Sequence, residues 1–222
     1  MSDYGLTRAR VEAYFDRTAT KAWERLTTDA KVSRIRQTVR EGRDQMRAMM
    51  LARLPRDLSG CRVLDAGCGT GAMTAELAQR GASVLAVDIS PNLVQIAQDR
   101  LPAPLHPMVR FHTGDMTDPT LGRFDYVMAM DSLIYYSAAD IGRILENLGS
   151  RTGKSIVFTV APRTPFLMAF WGLGKLFPRS DRSPTMVPHA LPTLRRHAGD
   201  QLHAIGQVAR GFYISQCLEY RP

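Results

Sequence analysis

The chain has 222 residues, enough for one sizeable domain with its own core plus an accessory segment. Three cysteines without CxxC spacing and five scattered histidines exclude a disulfide scaffold or a zinc pattern, so a reducing, cytoplasmic compartment is expected. The net charge of +8 is uneven: residues 1–60 and 161–222 carry +5 each and residues 61–160 carry −2, a layout that nucleic acid, an anionic membrane surface or an acidic small substrate would each allow.

The opening MSDYGLTRARVEAYF has acidic residues and no apolar core, so it does not read as a secretory signal. No run reaches the roughly 18 apolar residues of a membrane-spanning helix. Residues 7–54 carry two helical patterns spaced by three and four: Val11, Tyr14, Phe15 and Thr18, then Val32, Ile35, Val39, Met46, Met49 and Met50. Pro55 ends the second, and Asp57-Leu58-Ser59-Gly60 reads as a linker. From Cys61 short apolar runs alternate with helical stretches. RVLDAG, SVLAVDI, VRFHTGD, FDYVMAMD and KSIVFTVAP are strands, with helices over 70–79, 91–100 (capped by Ser90) and 138–148. LHAIGQVARGF and YISQCLEY, separated by a tight turn, form a closing hairpin. The expectation is an α/β fold: a doubly wound, mostly parallel, seven-stranded Rossmann-like sheet with a C-terminal antiparallel hairpin, the methyltransferase form of that architecture. Residues 1–57 are expected as a helical arm or lid, and residues 58–222 as the main domain with a substrate-covering insertion at about 163–188.

VLDAGCGTG turns from strand into a loop containing Gly67, Gly69 and Gly71. With Ala72 it also satisfies G-x-G-x-x-G/A, so the glycines do not choose between a dinucleotide and S-adenosylmethionine. Asp65 does. A carboxylate two residues before the first glycine repels a pyrophosphate and favours a ligand that brings an ammonium and a sulfonium. Asp88 closes the second strand, 21 positions after Gly67, where a carboxylate accepts from ribose hydroxyls. Asp115, in Gly114-Asp115-Met116 after the third strand, is placed for an adenine amino group, with the Met116 N–H facing a ring nitrogen. Ile89 beside Asp88 and Met130 after the fourth strand complete the expected S-adenosylmethionine pocket.

Nucleic acid is disfavoured as the methyl acceptor. The fourth strand ends in Ala129-Met130-Asp131-Ser132 where adenine-N6 enzymes carry [DN]PP[YF], and no cysteine sits where a cytosine-C5 nucleophile would. Residues 163–182, RTPFLMAFWGLGKLFPRSDR, set an apolar stretch with Trp171 among Arg163, Arg179 and Arg182. That pattern suits a flat apolar ligand with carboxylates at its edge, or a membrane surface.

In these features the chain resembles the magnesium-protoporphyrin IX methyltransferases of chlorophyll and bacteriochlorophyll synthesis. The resemblance runs through Tyr14-Phe15 and Trp23, DAGCGTG, Asp88-Ile89-Ser90 and the segment 131–136. It continues through Ala161-Pro162-Arg163-Thr164, Leu176-Phe177-Pro178, His189, and Phe212-Tyr213 with Ser215. It implies methylation of one propionate of magnesium protoporphyrin IX from S-adenosylmethionine. It also implies contact with the large, porphyrin-carrying subunit of magnesium chelatase, and a cytoplasmic location with peripheral contact to the photosynthetic membrane. For such a reaction Tyr135 or Tyr136 is expected to orient the reacting carboxylate through a phenolic O–H and Arg163 to hold the other. His189 steers the substrate or reaches its magnesium, while Tyr14, Trp23, Trp171 and Tyr213 belong to the substrate site or lid. The chain departs from the family at Tyr135, where many members have histidine, and at Thr27, which stands in place of a tyrosine. Two other readings stay open: a methyltransferase for another small acidic or quinone-type molecule, and a non-catalytic porphyrin-binding module.

Overall fold

The computed structural model describes residues 3–16, 34–164 and 185–222. Helices α1 (Asp3–Tyr14) and α2 (Arg34–Leu51) precede β1 (Arg62–Ala66). There follow α3 (Ala72–Gln79), β2 (Ser83–Asp88), α4 (Pro91–Arg100), β3 (Val109–Thr113) and β4 (Phe124–Ala129). The chain continues with α5 (Ala138–Gly149), β5 (Thr152–Val160), α6 (Leu191–Ala198), β6 (Leu202–Arg210) and β7 (Tyr213–Tyr220). The expected sheet is present, in the order β3-β2-β1-β4-β5-β7-β6. β1 to β5 are parallel, and β7 lies antiparallel between β5 and β6. The order reverses between β1 and β4, the crevice where sheets of this kind hold ligands at their carboxyl ends.

Helices on both faces explain why the central strands read as continuous apolar runs. Successive residues point to opposite faces, so Val63 joins the cluster under α2 and α3 while Leu64 joins the one under α5. On α5, Ile141, Ile144, Leu145 and Leu148 recur at helical spacing and are all buried. The cap expected at α4 is made: the Ser90 hydroxyl accepts from the Leu93 N–H at 3.3 Å, with Pro91 opening the helix.

Of the stretch 1–57, α2 is part of the core. Met46 and Met50 are fully buried, and the helix packs on β6 and β7. The remainder of that stretch contributes α1, which lies across the carboxyl ends of the strands. Thr18, Trp23, Thr27, Val32, Trp171, Arg179, Arg182 and the apolar run of the insertion fall outside the described residues.

Gly42 sets how closely α2 approaches the sheet. A Cβ there would stand 2.7 Å from Cδ1 of Tyr213 and 2.9 Å from its Cβ, so a larger residue forces helix and ring apart. Gly42→Ala is expected to lower the melting temperature. Overpacking of about 1–3 kcal/mol exceeds the roughly 1 kcal/mol that alanine gains in helix propensity. Thermal and urea unfolding measure the balance, and a stabilised variant would show that the contact is not tight.

Candidate active site

The carboxyl ends of β1, β2, β3 and β4 enclose a cavity of about 280 Å³. The glycine loop forms its floor. Gly67 has φ +82°, and a Cβ on it would collide with the Ser132 side chain, so only glycine fits. Gly69 has φ +53° and open space where a Cβ would be, which leaves its backbone exposed to a ligand. Its N–H donates to Asp88 Oδ2 at 2.9 Å.

The acids around this loop sit in different environments. Asp65 is 1% exposed, and its Oδ2 accepts from the Thr74 hydroxyl at 2.5 Å. Burial pushes its carboxyl up to about 7, against the Thr74 hydrogen bond and with the help of nearby Asp88. Asp88 accepts from the Ser90 N–H at 3.0 Å as well as from Gly69, yet burial still raises its pKa. Among the described residues neither acid forms a salt bridge, so a cation entering the cavity meets two buried carboxylates without counterions.

Asp115 is engaged from outside. Its Oδ1 accepts from the Tyr4 hydroxyl at 2.7 Å and from the N–H and hydroxyl of Thr117 at 2.8 Å each, while Oδ2 pairs with Arg8 at 2.8 Å. Burial raises this carboxyl, but the donors from Thr117, Tyr4 and Arg8 outweigh it and hold the pKa below the ordinary value. Tyr4 also stacks on Tyr136, with ring centroids 5.2 Å apart, and Val11 and Phe15 of the same N-terminal segment reach the cavity wall.

All eight residues expected at the cofactor (Asp65, Gly67, Gly69, Asp88, Ile89, Asp115, Met116 and Met130) line this one cavity, as do Tyr135 and Tyr136. Burial raises both phenols, which keeps them protonated donors at neutral pH. Tyr14 is not among the lining residues and packs edge-on against Phe15. Tyr213 stands behind the wall, donating to Asp131 Oδ1 at 3.0 Å. Arg163 is exposed, and its backbone N–H donates to the His189 carbonyl at 2.9 Å. His189 is 5% exposed, outside the cavity lining, with its Nε2 3.0 Å from the Tyr136 carbonyl. Burial lowers its pKa, so the ring is neutral and braces the Tyr135-Tyr136 segment.

Residues not singled out from sequence also line the site: Arg40, Arg43, Asp44 and Arg47 of α2, and Asp131 after β4. The available signal was three arginines at spacings of three and four around a glycine inside a helix.

S-adenosylmethionine fits these residues. Its ammonium and sulfonium match the uncompensated acids, and its polar nucleoside matches Asp88 and the open backbone at Gly69. The sheet order, with its one antiparallel strand, and this charge layout define a class I S-adenosylmethionine-dependent methyltransferase.

Residues 63–152 match a model described as a methyltransferase domain, and residues 129–222 match one described as the magnesium-protoporphyrin IX methyltransferase C-terminus. The magnesium-protoporphyrin O-methyltransferase of Rhodobacter capsulatus is 72% identical over 222 residues, 100% of this chain and 99% of that one. The crystal structure of magnesium protoporphyrin IX methyltransferase from Synechocystis PCC 6803 with bound S-adenosylhomocysteine superposes with a TM-score of 0.79. It is 29% identical and covers 99% of both chains. The same Synechocystis enzyme with bound S-adenosylmethionine gives 0.77, at 26% identity over 97% of this chain and 96% of that one. The chain belongs to the magnesium-protoporphyrin O-methyltransferase family.

A cationic ligand favours the ionised form of Asp65. Affinity for S-adenosylmethionine is therefore expected to rise with pH toward the carboxyl's pKa of about 7, by up to about tenfold per unit, and to level off above it. Above about 7.7 the ligand's own amino group begins to lose its proton. Calorimetry in buffers of different ionisation enthalpy reads both the slope and the proton released. A flat profile, or the wild-type slope retained in Asp65→Asn, would overturn this account of Asp65.

Proposed function

We propose that the chain transfers the methyl group of S-adenosylmethionine to a propionate carboxylate of magnesium protoporphyrin IX, giving the monomethyl ester. The observation that carries the reading is the likeness to the Rhodobacter capsulatus enzyme along the whole chain, joined to a cavity whose acids suit a cationic cofactor. When bound, S-adenosylmethionine supplies an electrophilic methyl on a sulfonium. The residues supply position. A propionate resembles a glutamate side chain, with an ordinary pKa of about 4.3, so it arrives ionised and needs no general base. Tyr135 and Tyr136, held protonated by burial, are suited to donate to a carboxylate oxygen and aim it without removing its charge. A tightly paired guanidinium on the reacting oxygen would blunt its nucleophilicity, so Arg163 is assigned to the non-reacting propionate. Alignment and exclusion of water can supply up to about 7–11 kcal/mol, and no further chemistry is required of the protein.

Helix α1 serves as the cover of this site. Its support is the pair Tyr4 and Arg8 on Asp115, with Tyr4 stacked on Tyr136. The positive excess of residues 1–60 and 161–222 supports two further contacts: with the large subunit of magnesium chelatase, which hands over the porphyrin, and with a membrane surface touched peripherally. No helix among the described residues is long and apolar enough to cross a membrane.

Incubating the purified chain with magnesium protoporphyrin IX and methyl-labelled S-adenosylmethionine is expected to put label into a base-labile porphyrin ester. A porphyrin recovered unlabelled, with the cofactor bound, sinks the reading. Deleting residues 1–30 is expected to abolish ester formation with the main domain still folded, because α2 and the sheet remain. Full activity in a folded truncation would show that α1 is not a cover.

A further inference from the structure

S-adenosylmethionine and the proposed substrate both carry carboxylates, one on the methionine part and two as propionates. Asp65, Asp88, Asp115 and Asp131 all line the cavity, and together they repel a further negative group. Among the described lining residues the cations are Arg40, Arg43 and Arg47 of α2. Their spacing puts them on one side of the helix, while Gly42, Met46 and Met50 are buried against the sheet.

These arginines stand at one end of the crevice. Asp88 ends β2 and Asp115 follows β3, whereas Arg43 Nε lies 3.5 Å from Asp131, after β4 on the other side of β1. Arg47 is taken up by acids, with Asp44 at 2.6 Å and Glu76 of α3 at 4.0 Å. Arg43 is held differently. Its partner Asp131 is fixed by the Tyr213 hydroxyl at 3.0 Å and the Thr159 hydroxyl at 3.3 Å, and the Asp131 N–H donates to Thr159 Oγ1 at 2.8 Å. Among the described residues Asp131 alone is a non-glycine with positive φ, 56°, and in that conformation its carboxylate faces Arg43 of α2. A carboxylate held at Oδ1 by two hydroxyls, on a residue whose N–H is also bound, thus sets the orientation of a guanidinium on the cavity wall. The planar fork of arginine matches a carboxylate in two parallel hydrogen bonds.

We propose that Arg43, seated on Asp131 and neighboured by Arg40, is the docking site for a ligand carboxylate at the methyl-transfer end of the cavity. Two carboxylates are within the reach of this end, that of S-adenosylmethionine and the non-reacting propionate of the substrate, which Arg43 would hold together with Arg163. The second source rests on the proposed porphyrin reaction and the first does not.

The test compares ligand pairs that differ only in the carboxylate, on wild type, Arg43→Gln and Arg43→Lys. One pair is S-adenosylhomocysteine and its decarboxylated analogue, by calorimetry. The other is magnesium protoporphyrin IX and its dimethyl ester, by fluorescence quenching. In wild type at least one carboxylate-bearing member is expected to bind about 10- to 100-fold tighter than its counterpart, as a charge-assisted hydrogen bond would provide. Arg43→Gln removes that preference and leaves the carboxylate-free ligand unaffected. The pair that responds identifies the source. If wild type binds both members of each pair equally, or if the preference survives in both variants, Arg43 merely ties α2 to β4 and the proposal falls. Should Arg43→Gln fail to fold, Arg43→Lys and the wild-type comparison still decide. Should wild type form no ester, the adenosyl pair still tests the site on its own.

Discussion

Two buried carboxylates without a counterion among the described residues are what the rest of this structure is arranged around. Asp65 and Asp88 are 1% and 8% exposed, on adjacent central strands with helices above and below. Removing an unpaired carboxylate from water costs several kcal/mol even after relaxation. The hydrogen bonds from Thr74, Ser90 and Gly69 recover only part of this, since burial still raises both pKa values. What remains is a negative field in the crevice, and a cationic ligand relieves it. The energy that destabilises the empty fold is the energy that selects a sulfonium and an ammonium over a pyrophosphate.

The sheet topology brings the remaining groups to this crevice. Parallel strands deliver their carboxyl ends to one edge, which is how acids at the carboxyl ends of β1, β2, β3 and β4 come to share a cavity. The antiparallel β7 does the reverse and brings its beginning there. Val160 at the end of β5 is paired with Gln216, so Tyr213 lies beyond it, at Asp131. The same tyrosine packs against Gly42 of α2. One residue from the hairpin therefore fixes both the acid after β4 and the helix that carries Arg40, Arg43 and Arg47. Without the antiparallel insertion, α2 would have no ring to rest on and Asp131 no phenol.

Much of this was legible in sequence because it is local. The strand-to-glycine turn, Asp88 at a strand end and Ser90 before Pro91 each follow from a few neighbouring residues, and the structure places them accordingly. The α2 arginines were not legible. Read alone, Arg40, Arg43 and Arg47 are indistinguishable from a solvated basic face. Only the approach of α2 to Tyr213, a contact between residues 42 and 213, turns them toward the cavity. His189 illustrates the converse: a histidine in a loop invites a chemical role from sequence, while in the fold its ring meets the Tyr136 carbonyl. Asp65 was read for its charge, and the structure adds that burial makes this charge conditional on pH.

Asp115 joins α1 to the cofactor cavity. A carboxylate offers about four acceptor directions over its two oxygens. Oδ1 already takes three donors, from Tyr4 and from the N–H and hydroxyl of Thr117. An adenine amino group reaching for this acid therefore meets Oδ2, where Arg8 sits at 2.8 Å. Either Arg8 shares that oxygen or it swings away, and its side chain, 41% exposed, is free to do the latter at small cost. Tyr4 has no such freedom, because its ring is stacked on Tyr136 and its hydroxyl is bound to Oδ1. The grip of α1 on the nucleoside end of the crevice thus divides into a firm aromatic contact and an exchangeable ionic one. Tyr136, the residue on which the firm contact rests, also lines the cavity, so the position of α1 and the placement of this phenol are coupled through a single pair of rings.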